Sequence, residues 1–247
     1  MTALARRLDT VERPLVVIPA RNEAANLPFV VDELRHVRPD AAILVVDDHS
    51  EDETAALLPR LGCRWLRLAQ RVGVGGATRA GLRYARRHGH AVVLRLDGDG
   101  QHRPDQIEAL LEPLRRGVDA VQGTRCAGDV SYARQGARRL GQRAIGAMLS
   151  AIMRQPVTDP TSGFWAFGPG AVQLLADHHP IGYAEPELRL LLSRNRLRVA
   201  EARVQMRGRL AGRSSLTLPR AGLVAAHVFL AMAVVPLRPV VETAPRD

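Results

Sequence analysis

Lysine is absent from this sequence, and cysteine and aromatic residues are scarce. The two cysteines, Cys63 and Cys126, lie far apart in the chain, so they indicate neither a disulfide framework nor a zinc site and favour a reducing compartment. Aromatic residues make up 4% of the chain, too few for the stacking surfaces of a nucleic-acid-binding protein. No uninterrupted apolar run reaches about eighteen residues, which excludes a polytopic membrane protein. The segment Met1–Pro14 has no apolar core, so we expect no signal peptide.

Positive charge is what the sequence has in excess. The 247 residues include 35 basic side chains, all of them arginine, against 25 acidic ones, which gives a net charge of +10. This excess fits either a bias in codon usage or an anionic partner such as a phosphate, a nucleic acid or an acidic membrane face. With 46% hydrophobic and 24% charged residues, the composition is that of a globular protein with a large core.

Short apolar runs alternate with helical patterns through the first half of the chain. The predicted strands are Leu15–Ile18, Ala42–Val46, Arg64–Leu68 and Ala91–Leu96. Between them, apolar residues recur at helical spacing over 27–34, 76–87 and 107–114. This order predicts an α/β fold in which helices flank both faces of a parallel sheet. Ligands bind such sheets at the carboxyl ends of the strands.

The second half of the chain is less regular. Its predicted features are a helix over 140–152, a Gly- and Pro-rich stretch at Asp159–Gly170, a helix at Ala184–Arg194 and a strand at Leu197–Val204. The last feature is an apolar run, Ala221–Val235, whose only polar side chain is His227. This run fits either a core helix or an amphipathic helix at a membrane interface. At about 22 Å of helix, it is too short to cross about 30 Å of hydrocarbon.

Two acidic pairs follow predicted strands directly. Asp47-Asp48 ends the second strand, and Asp97-Gly98-Asp99 ends the fourth. One interpretation is that these residues only form turns. The other is that carboxylates gathered at one sheet edge hold a hard divalent cation, because Mg²⁺ and Mn²⁺ prefer oxygen ligands and bridge carboxylates to phosphates. The repetition of the pattern favours the second interpretation.

A glycine cluster, Gly73–Arg79, opens a predicted helix and could direct backbone N–H groups at a phosphate. Thr78 stands where a dinucleotide fingerprint requires glycine, so a nicotinamide-binding fold is not predicted. Arginines dominate the second half of the chain. Arg209 and Arg213, near Gly212, are the strongest candidates among them for binding phosphate, which arginine contacts through two parallel hydrogen bonds.

Taken in order, these segments resemble family 2 glycosyltransferases of the GT-A fold, in the branch similar to dolichol-phosphate mannosyltransferase that uses polyprenyl phosphates. The resemblance rests on Val17–Glu23, Val45–Asp52, Gly76–Gly81, Leu96–Pro104, Gly123–Arg125, Asp159–Phe164, Gly182-Tyr183 with Glu187, and Arg209–Ser215. It implies an N-terminal tail over 1–13, a GT-A catalytic domain over 14–217 and a C-terminal apolar helix and tail over 218–247. In the GT-A fold that the resemblance implies, helices flank a mixed, mainly parallel sheet. Departures at Arg71, Val74 and Trp165 leave the nucleotide and the sugar open.

The resemblance also implies a role for each matched residue. It assigns the nucleotide-sugar to Pro19, Arg21, Glu23, Asp48, Gly76, Asp97 and Gln101. It assigns a Mg²⁺ or Mn²⁺ ion to Asp97 and Asp99, and the acceptor or its phosphate to Arg125, Arg139, Arg209 and Ser214. The residues expected at the reacting centre are Asp99, Asp159 and Glu187.

The implied reaction is metal-dependent, inverting transfer of a sugar from a nucleoside diphosphate sugar to a polyprenyl phosphate. A lipid phosphate is already a nucleophile, whereas a hydroxyl acceptor needs a general base. Members of the family that act on hydroxyls often carry a Glu-Asp pair. Here Glu185-Pro186-Glu187 occurs instead, which favours a phosphate acceptor. The alternatives are a hydroxyl acceptor, nucleotidyl transfer to a sugar phosphate, and a non-enzymatic basic binding module. We expect a cytoplasmic protein in peripheral contact with the inner face of the cell membrane.

Overall fold

The computed structural model describes residues 11, 13–125, 136–181, 184–211, 230 and 234, with only the backbone described at 136–144 and 184. The described part of the chain contains seven strands and seven α-helices. The strands are β1 (Leu15–Ala20), β2 (Ala42–Asp47), β3 (Arg64–Arg67), β4 (Val93–Arg95), β5 (Ala120–Arg125), β6 (Trp165–Phe167) and β7 (Val199–Val204). The helices are α1 (Leu27–Val37), α2 (Thr54–Leu57), α3 (Gly73–Arg87), α4 (Ile107–Arg115), α5 (Gly136–Met153), α6 (Pro169–His178) and α7 (Ala184–Arg194).

The seven strands form one sheet in the order β3-β2-β1-β4-β6-β5-β7. All neighbouring strands are parallel except β6, which runs antiparallel to both β4 and β5. The carboxyl ends of the six parallel strands therefore lie at one edge of the sheet. This arrangement confirms the predicted fold class. Two strands were not predicted from the sequence: β5, and β6, which lies inside the Gly- and Pro-rich stretch.

A hydrophobic core lies on each face of the sheet. Alternate residues of β1 point to opposite faces, so Val16 packs with α1 and α4 on one side, and Val17 packs with α3, α6 and α7 on the other. All six residues of β1 are buried, as expected for a central strand covered on both faces. Helices on both faces leave the strand ends at the carboxyl edge open to a ligand.

Glycines in helix α3 allow this helix to pack closely against its neighbours. A Cβ atom on Gly75 would lie 2.3 Å from the carbonyl oxygen of Pro180, and one on Gly81 would lie 2.4 Å from a methyl carbon of Val17. A Cβ atom on Gly76 would lie 2.6 Å from a methyl carbon of Val72. Close packing therefore accounts for three of the glycines in and after the predicted cluster.

None of the described helices is long and apolar enough to cross a membrane. The predicted C-terminal apolar run lies outside the described residues except for Leu230 and Val234, which are both exposed. The choice between a core helix and an interfacial helix therefore stays a prediction.

His179, just after α6, supplies a prediction about acid stability. Its side chain is 1% exposed, its Nδ1 atom lies 2.8 Å from the carbonyl oxygen of Pro180, and burial lowers its pKa to about 3. Unfolded histidine titrates near about 6.5, so between these values the unfolded chain binds more protons and stability falls as the pH falls. The slope approaches about 1.4 kcal/mol per pH unit. We expect His179→Asn to reduce this slope in urea unfolding between about pH 6.5 and 4. An unchanged slope in the variant would contradict the assignment.

Candidate active site

A cavity of ≈ 510 Å³ opens at the carboxyl edge of the sheet, where β1, β2 and β4 end. The loop after β1 forms one wall, the loop after β4 forms the floor, and Arg209 contributes from beyond β7. Seven of the residues assigned from the sequence line this cavity: Pro19, Arg21, Glu23, Asp48, Asp97, Asp99 and Arg209. The fold thus brings together side chains that lie up to 190 positions apart in the chain.

The first acidic pair organises the loops around the cavity. The Asp48 carboxylate accepts hydrogen bonds from the backbone N–H groups of Val72, at 2.7 Å, and Gly73, at 2.9 Å. Asp48 thereby caps helix α3 from a distant part of the chain. Asp47 is fully buried and accepts a hydrogen bond from the backbone N–H of Ser50 at 2.9 Å. For Asp47 the turn-forming interpretation is therefore the better one.

The second acidic pair lies on the cavity floor. Asp99 accepts a hydrogen bond from the backbone N–H of Gln101 at 3.0 Å, and its other oxygen lies 3.0 Å from the Arg209 guanidinium. Burial and the neighbouring Asp97 carboxylate raise the pKa of Asp99. Burial also disfavours charge on Asp97, but Arg95, His102 and Arg209 together outweigh this effect and lower the pKa of Asp97. The two carboxylates repel each other, and both line the cavity.

Asp97 and Asp99 are suited to a cation that a bound diphosphate would also coordinate. Within the ranges that the structure describes, no group of three or more His, Cys, Asp or Glu side chains is arranged to hold a metal. Mg²⁺ is commonly held by one or two carboxylates together with substrate phosphates. Asp97 and Asp99 match this donor set. A cation between them would also offset the repulsion that raises the pKa of Asp99.

A buried arginine, Arg95, contacts the acidic residues at the cavity floor. The Arg95 side chain is 2% exposed and donates hydrogen bonds to Asp97 at 3.3 Å and to Glu185 at 3.0 Å. A Cβ atom on Gly163 would lie 2.9 Å from both the Arg95 guanidinium and the Asp97 carboxylate, so the glycine makes room for this pair. Arg95 and Glu185 both line the cavity. Sequence reasoning missed them as site residues, although an arginine inside the apolar run before Asp97 was a visible signal.

Glu185 is the acidic residue of the Glu185-Pro186-Glu187 segment that faces the cavity. Burial raises the pKa of its carboxyl group, and Arg95 opposes that effect. Glu187 is also buried but does not line the cavity. Glu187 is the residue that the sequence indicated for the reacting centre, whereas the structure places its neighbour Glu185 closer to the acidic floor.

Four other assigned residues lie outside the cavity wall. The side-chain amide of Gln101 lies 3.5 Å from the carbonyl oxygen of Arg207, and Gly76 lines a neighbouring groove. Asp159 lies 3.5 Å from Arg125, and its carboxylate accepts hydrogen bonds from Thr161, which does line the cavity. The Arg139 side chain and Ser214 lie outside the described residues.

The segment after β7 closes one side of the acidic floor. Arg207 donates a hydrogen bond to the carbonyl oxygen of Gly100 at 2.6 Å and pairs with Glu33 on α1. Arg209 lies between Glu23, at 2.9 Å, and Asp99, at 3.0 Å. The backbone N–H of Leu210 donates to the carbonyl oxygen of Asp99 at 3.2 Å. These contacts fix a cationic group directly beside the paired carboxylates.

Solved structures share the architecture of this chain. The structure of glucosyl-3-phosphoglycerate synthase from Mycobacterium tuberculosis in complex with Mn²⁺, uridine diphosphate and phosphoglyceric acid superposes with a TM-score of 0.72. The match covers 97% of this chain and 84% of that chain at 21% sequence identity. The likeness establishes the GT-A fold.

The sequence comparison then gives the family. Residues 15–174 match Glycosyl transferase family 2, and the chain belongs to that family. The chain is 37% identical over 120 residues to polyprenol monophosphomannose synthase of Mycolicibacterium smegmatis, covering 46% of this chain and 45% of the relative. It is 38% identical over 120 residues to undecaprenyl-phosphate mannosyltransferase of Micrococcus luteus, covering 46% and 48%. The chain thus spans about half the length of these curated relatives.

A third relative aligns over a longer stretch. The chain is 26% identical over 211 residues to the UDP-N-acetylglucosamine–dolichyl-phosphate N-acetylglucosaminyltransferase of Methanococcus voltae. This alignment covers 77% of this chain and 84% of the relative. Two of the three names specify mannose and the third specifies N-acetylglucosamine, and each name includes a polyprenol or a polyprenyl or dolichyl phosphate.

Proposed function

We propose that this protein transfers a sugar from a nucleoside diphosphate sugar to a polyprenyl phosphate, with inversion at the sugar carbon and with a divalent cation. The observation that carries the proposal is the pairing of Asp97 and Asp99 on the floor of a cavity that also presents Arg209. The names of the relatives support a polyprenyl phosphate acceptor. The Mn²⁺ and uridine diphosphate in the structural neighbour support the donor class.

The proposed donor site has two parts along the cavity, one for the nucleoside and one for the diphosphate with its cation. Pro19, Arg21 and Asp48 form the wall proposed for the base and ribose, and the cap that Asp48 places on α3 keeps that wall rigid. Asp97 and Asp99 would hold the Mg²⁺ or Mn²⁺ ion. When bound, the cation would stabilise negative charge on the departing diphosphate. Arg209 adds a permanent positive charge beside the same oxygens, because guanidinium stays protonated at physiological pH.

A polyprenyl phosphate would attack the sugar without a general base, because its phosphate oxygen is already anionic. Asp159 stays a proposed neighbour of the reacting sugar, because its carboxylate contacts Thr161 on the cavity wall. The same role proposed for Glu187 has less support, because Glu187 does not line the cavity. Arg125, which lies beside Asp159, remains a proposed contact for the acceptor phosphate. A lipid acceptor would require the protein to work at the inner face of the cell membrane.

A hydroxyl acceptor is the second candidate, and one observation favours it. Glu185 places a carboxyl group in the cavity, close to Asp97, and burial raises the pKa of that group. A carboxylate of raised pKa is a better base for a hydroxyl proton than an ordinary one. A Glu185→Gln variant that keeps full activity on polyprenyl phosphate would favour the first candidate.

The donor site can be tested by thermal unfolding with UDP, GDP, CDP, ADP and TDP, each with and without Mn²⁺. A ligand that binds only the folded chain raises the free energy of unfolding by about 2.7 kcal/mol at a hundred times its dissociation constant. We expect one nucleotide to raise the melting temperature only when Mn²⁺ is present. If no nucleotide raises it under either condition, the proposed donor site is wrong.

A further inference from the structure

A second cavity adjoins the proposed donor site. It has a volume of ≈ 590 Å³, and we call it the arginine groove. Its wall is formed by the arginines Arg71, Arg79 and Arg83 and by the apolar side chains of Leu68, Val72 and Ile181. We propose that the arginine groove binds the phosphate of an anionic phospholipid and so holds the mouth of the donor cavity against the membrane.

The groove is positively charged and only partly neutralised. None of the described residues that line it is acidic. Arg83 donates a hydrogen bond to the carbonyl oxygen of Ala176 at 2.9 Å and lies 3.6 Å from Asp177. The side chains of Arg71 and Arg79 form no hydrogen bond or ion pair with another described residue. Two guanidinium groups are therefore available to an anion, and guanidinium pairs well with phosphate oxygens.

The rim of the groove is apolar, which points to a lipid rather than a soluble anion. The side chain of Ile181 is 48% exposed, and Leu68 and Val72, which also line the groove, are partly exposed. Exposed aliphatic side chains beside arginines match the boundary between phosphate headgroups and acyl chains of a bilayer. A free phosphate ion would gain nothing from these apolar groups.

The groove lies at the carboxyl edge of the sheet, beside the donor cavity. Arg71 lines both cavities, and Val74 lines the donor cavity. The inference rests on the proposed function, because only a lipid-linked acceptor requires the donor cavity to face a membrane. Binding at the arginine groove would place that cavity where a polyprenyl phosphate in the same membrane can reach it.

The test is co-sedimentation of the full chain with vesicles of phosphatidylcholine, alone or mixed with phosphatidylglycerol. Each cationic side chain near an anionic membrane contributes about fivefold to binding. We expect Arg79→Glu to reduce the partition coefficient on mixed vesicles by at least about fivefold. Ile181→Ser should reduce it less, without any change in charge. Arg79→Glu should leave the weak binding to phosphatidylcholine alone unchanged, because that bilayer carries no net charge.

Arg116→Glu is the matched control. Arg116 follows helix α4, is 76% exposed and lies near the start of β5, at the opposite edge of the sheet from the groove. We expect this variant to bind mixed vesicles nearly as well as the original chain. Equal losses for Arg79→Glu and Arg116→Glu would overturn the proposal, because they would reflect net charge alone.

Two further measurements distinguish lipid binding from the binding of free phosphate and from a loss of folding. If inorganic phosphate raises the melting temperature of the chain but not of Arg79→Glu, while vesicle binding is the same in both, the groove binds free phosphate and the lipid proposal is wrong. If Arg79→Glu does not fold, Arg79→Gln and Ile181→Ser decide the outcome, and wild-type vesicle binding in both would overturn the proposal. Nucleotide binding, measured separately by thermal unfolding, shows whether the proposed function itself fails.

Discussion

Replacing Asp99 by asparagine should abolish sugar transfer while leaving the fold intact. Asparagine keeps the shape of the side chain but removes the negative charge that would bind the cation. Loss of a group that stabilises charge in the transition state lowers the rate by at least about a hundredfold. Stability should not suffer, because Asp99 and Asp97 repel each other and burial already raises the pKa of Asp99. The variant should unfold at the same temperature as the original chain, or a higher one.

The assay follows transfer from the nucleotide-sugar identified by thermal unfolding to a polyprenyl phosphate. Asp105→Asn is the matched control, because Asp105 lies in the same loop but is exposed and pairs with Arg103 at 2.5 Å. The control should keep nearly full activity. An Asp99→Asn variant that turns over at the original rate would remove Asp99 from the cation site and leave the metal requirement without support.

Most of the fold could be predicted from the sequence because its signals are local. The alternation of apolar runs and helical spacing predicted β1, β2, β3 and β4, each of which the structure contains in the same order. Strand β6 could not be predicted, since it has only three residues, Trp165–Phe167, and lies among glycines and prolines. Its place is set by pairing with β4 and β5, which are distant in sequence.

The candidate site was predictable where a motif sits directly at a strand end. Asp97 and Asp99 follow closely after β4, and the parallel sheet brings them beside Asp48. Long-range partners could not be predicted in this way. Nothing in the sequence indicated that Asp48 caps α3, or that Arg95 pairs with a glutamate 90 positions further along the chain. The choice between Glu185 and Glu187 depends on the direction in which the first turn of α7 faces, and the sequence does not determine this.

The second large effect that we expect is on stability, at Arg95. Arg95→Met keeps the length of the side chain and its apolar contacts but leaves Asp97 and Glu185 without their shared cation. Breaking a buried ion pair by removing one partner costs about 3–5 kcal/mol. We expect the free energy of unfolding in urea to fall by that amount. Arg86→Met is the control: Arg86 pairs with Asp177 at 2.5 Å on the surface, and losing such a pair costs less than about 1 kcal/mol.

A double-mutant cycle can distinguish a loss of charge pairing from a loss of packing as the cause of this destabilisation. Glu185→Gln removes one of the two stranded charges, so adding it to Arg95→Met should recover part of the lost stability, although Glu185→Gln alone destabilises the chain. The two changes would then be strongly non-additive, as expected for residues in direct contact. Additive losses would mean that Arg95 stabilises the chain through packing rather than charge. Recovery of stability in the double variant would instead mean that Arg95 stabilises the chain through its charge. The guanidinium would then offset the repulsion between the carboxylates at the cavity floor.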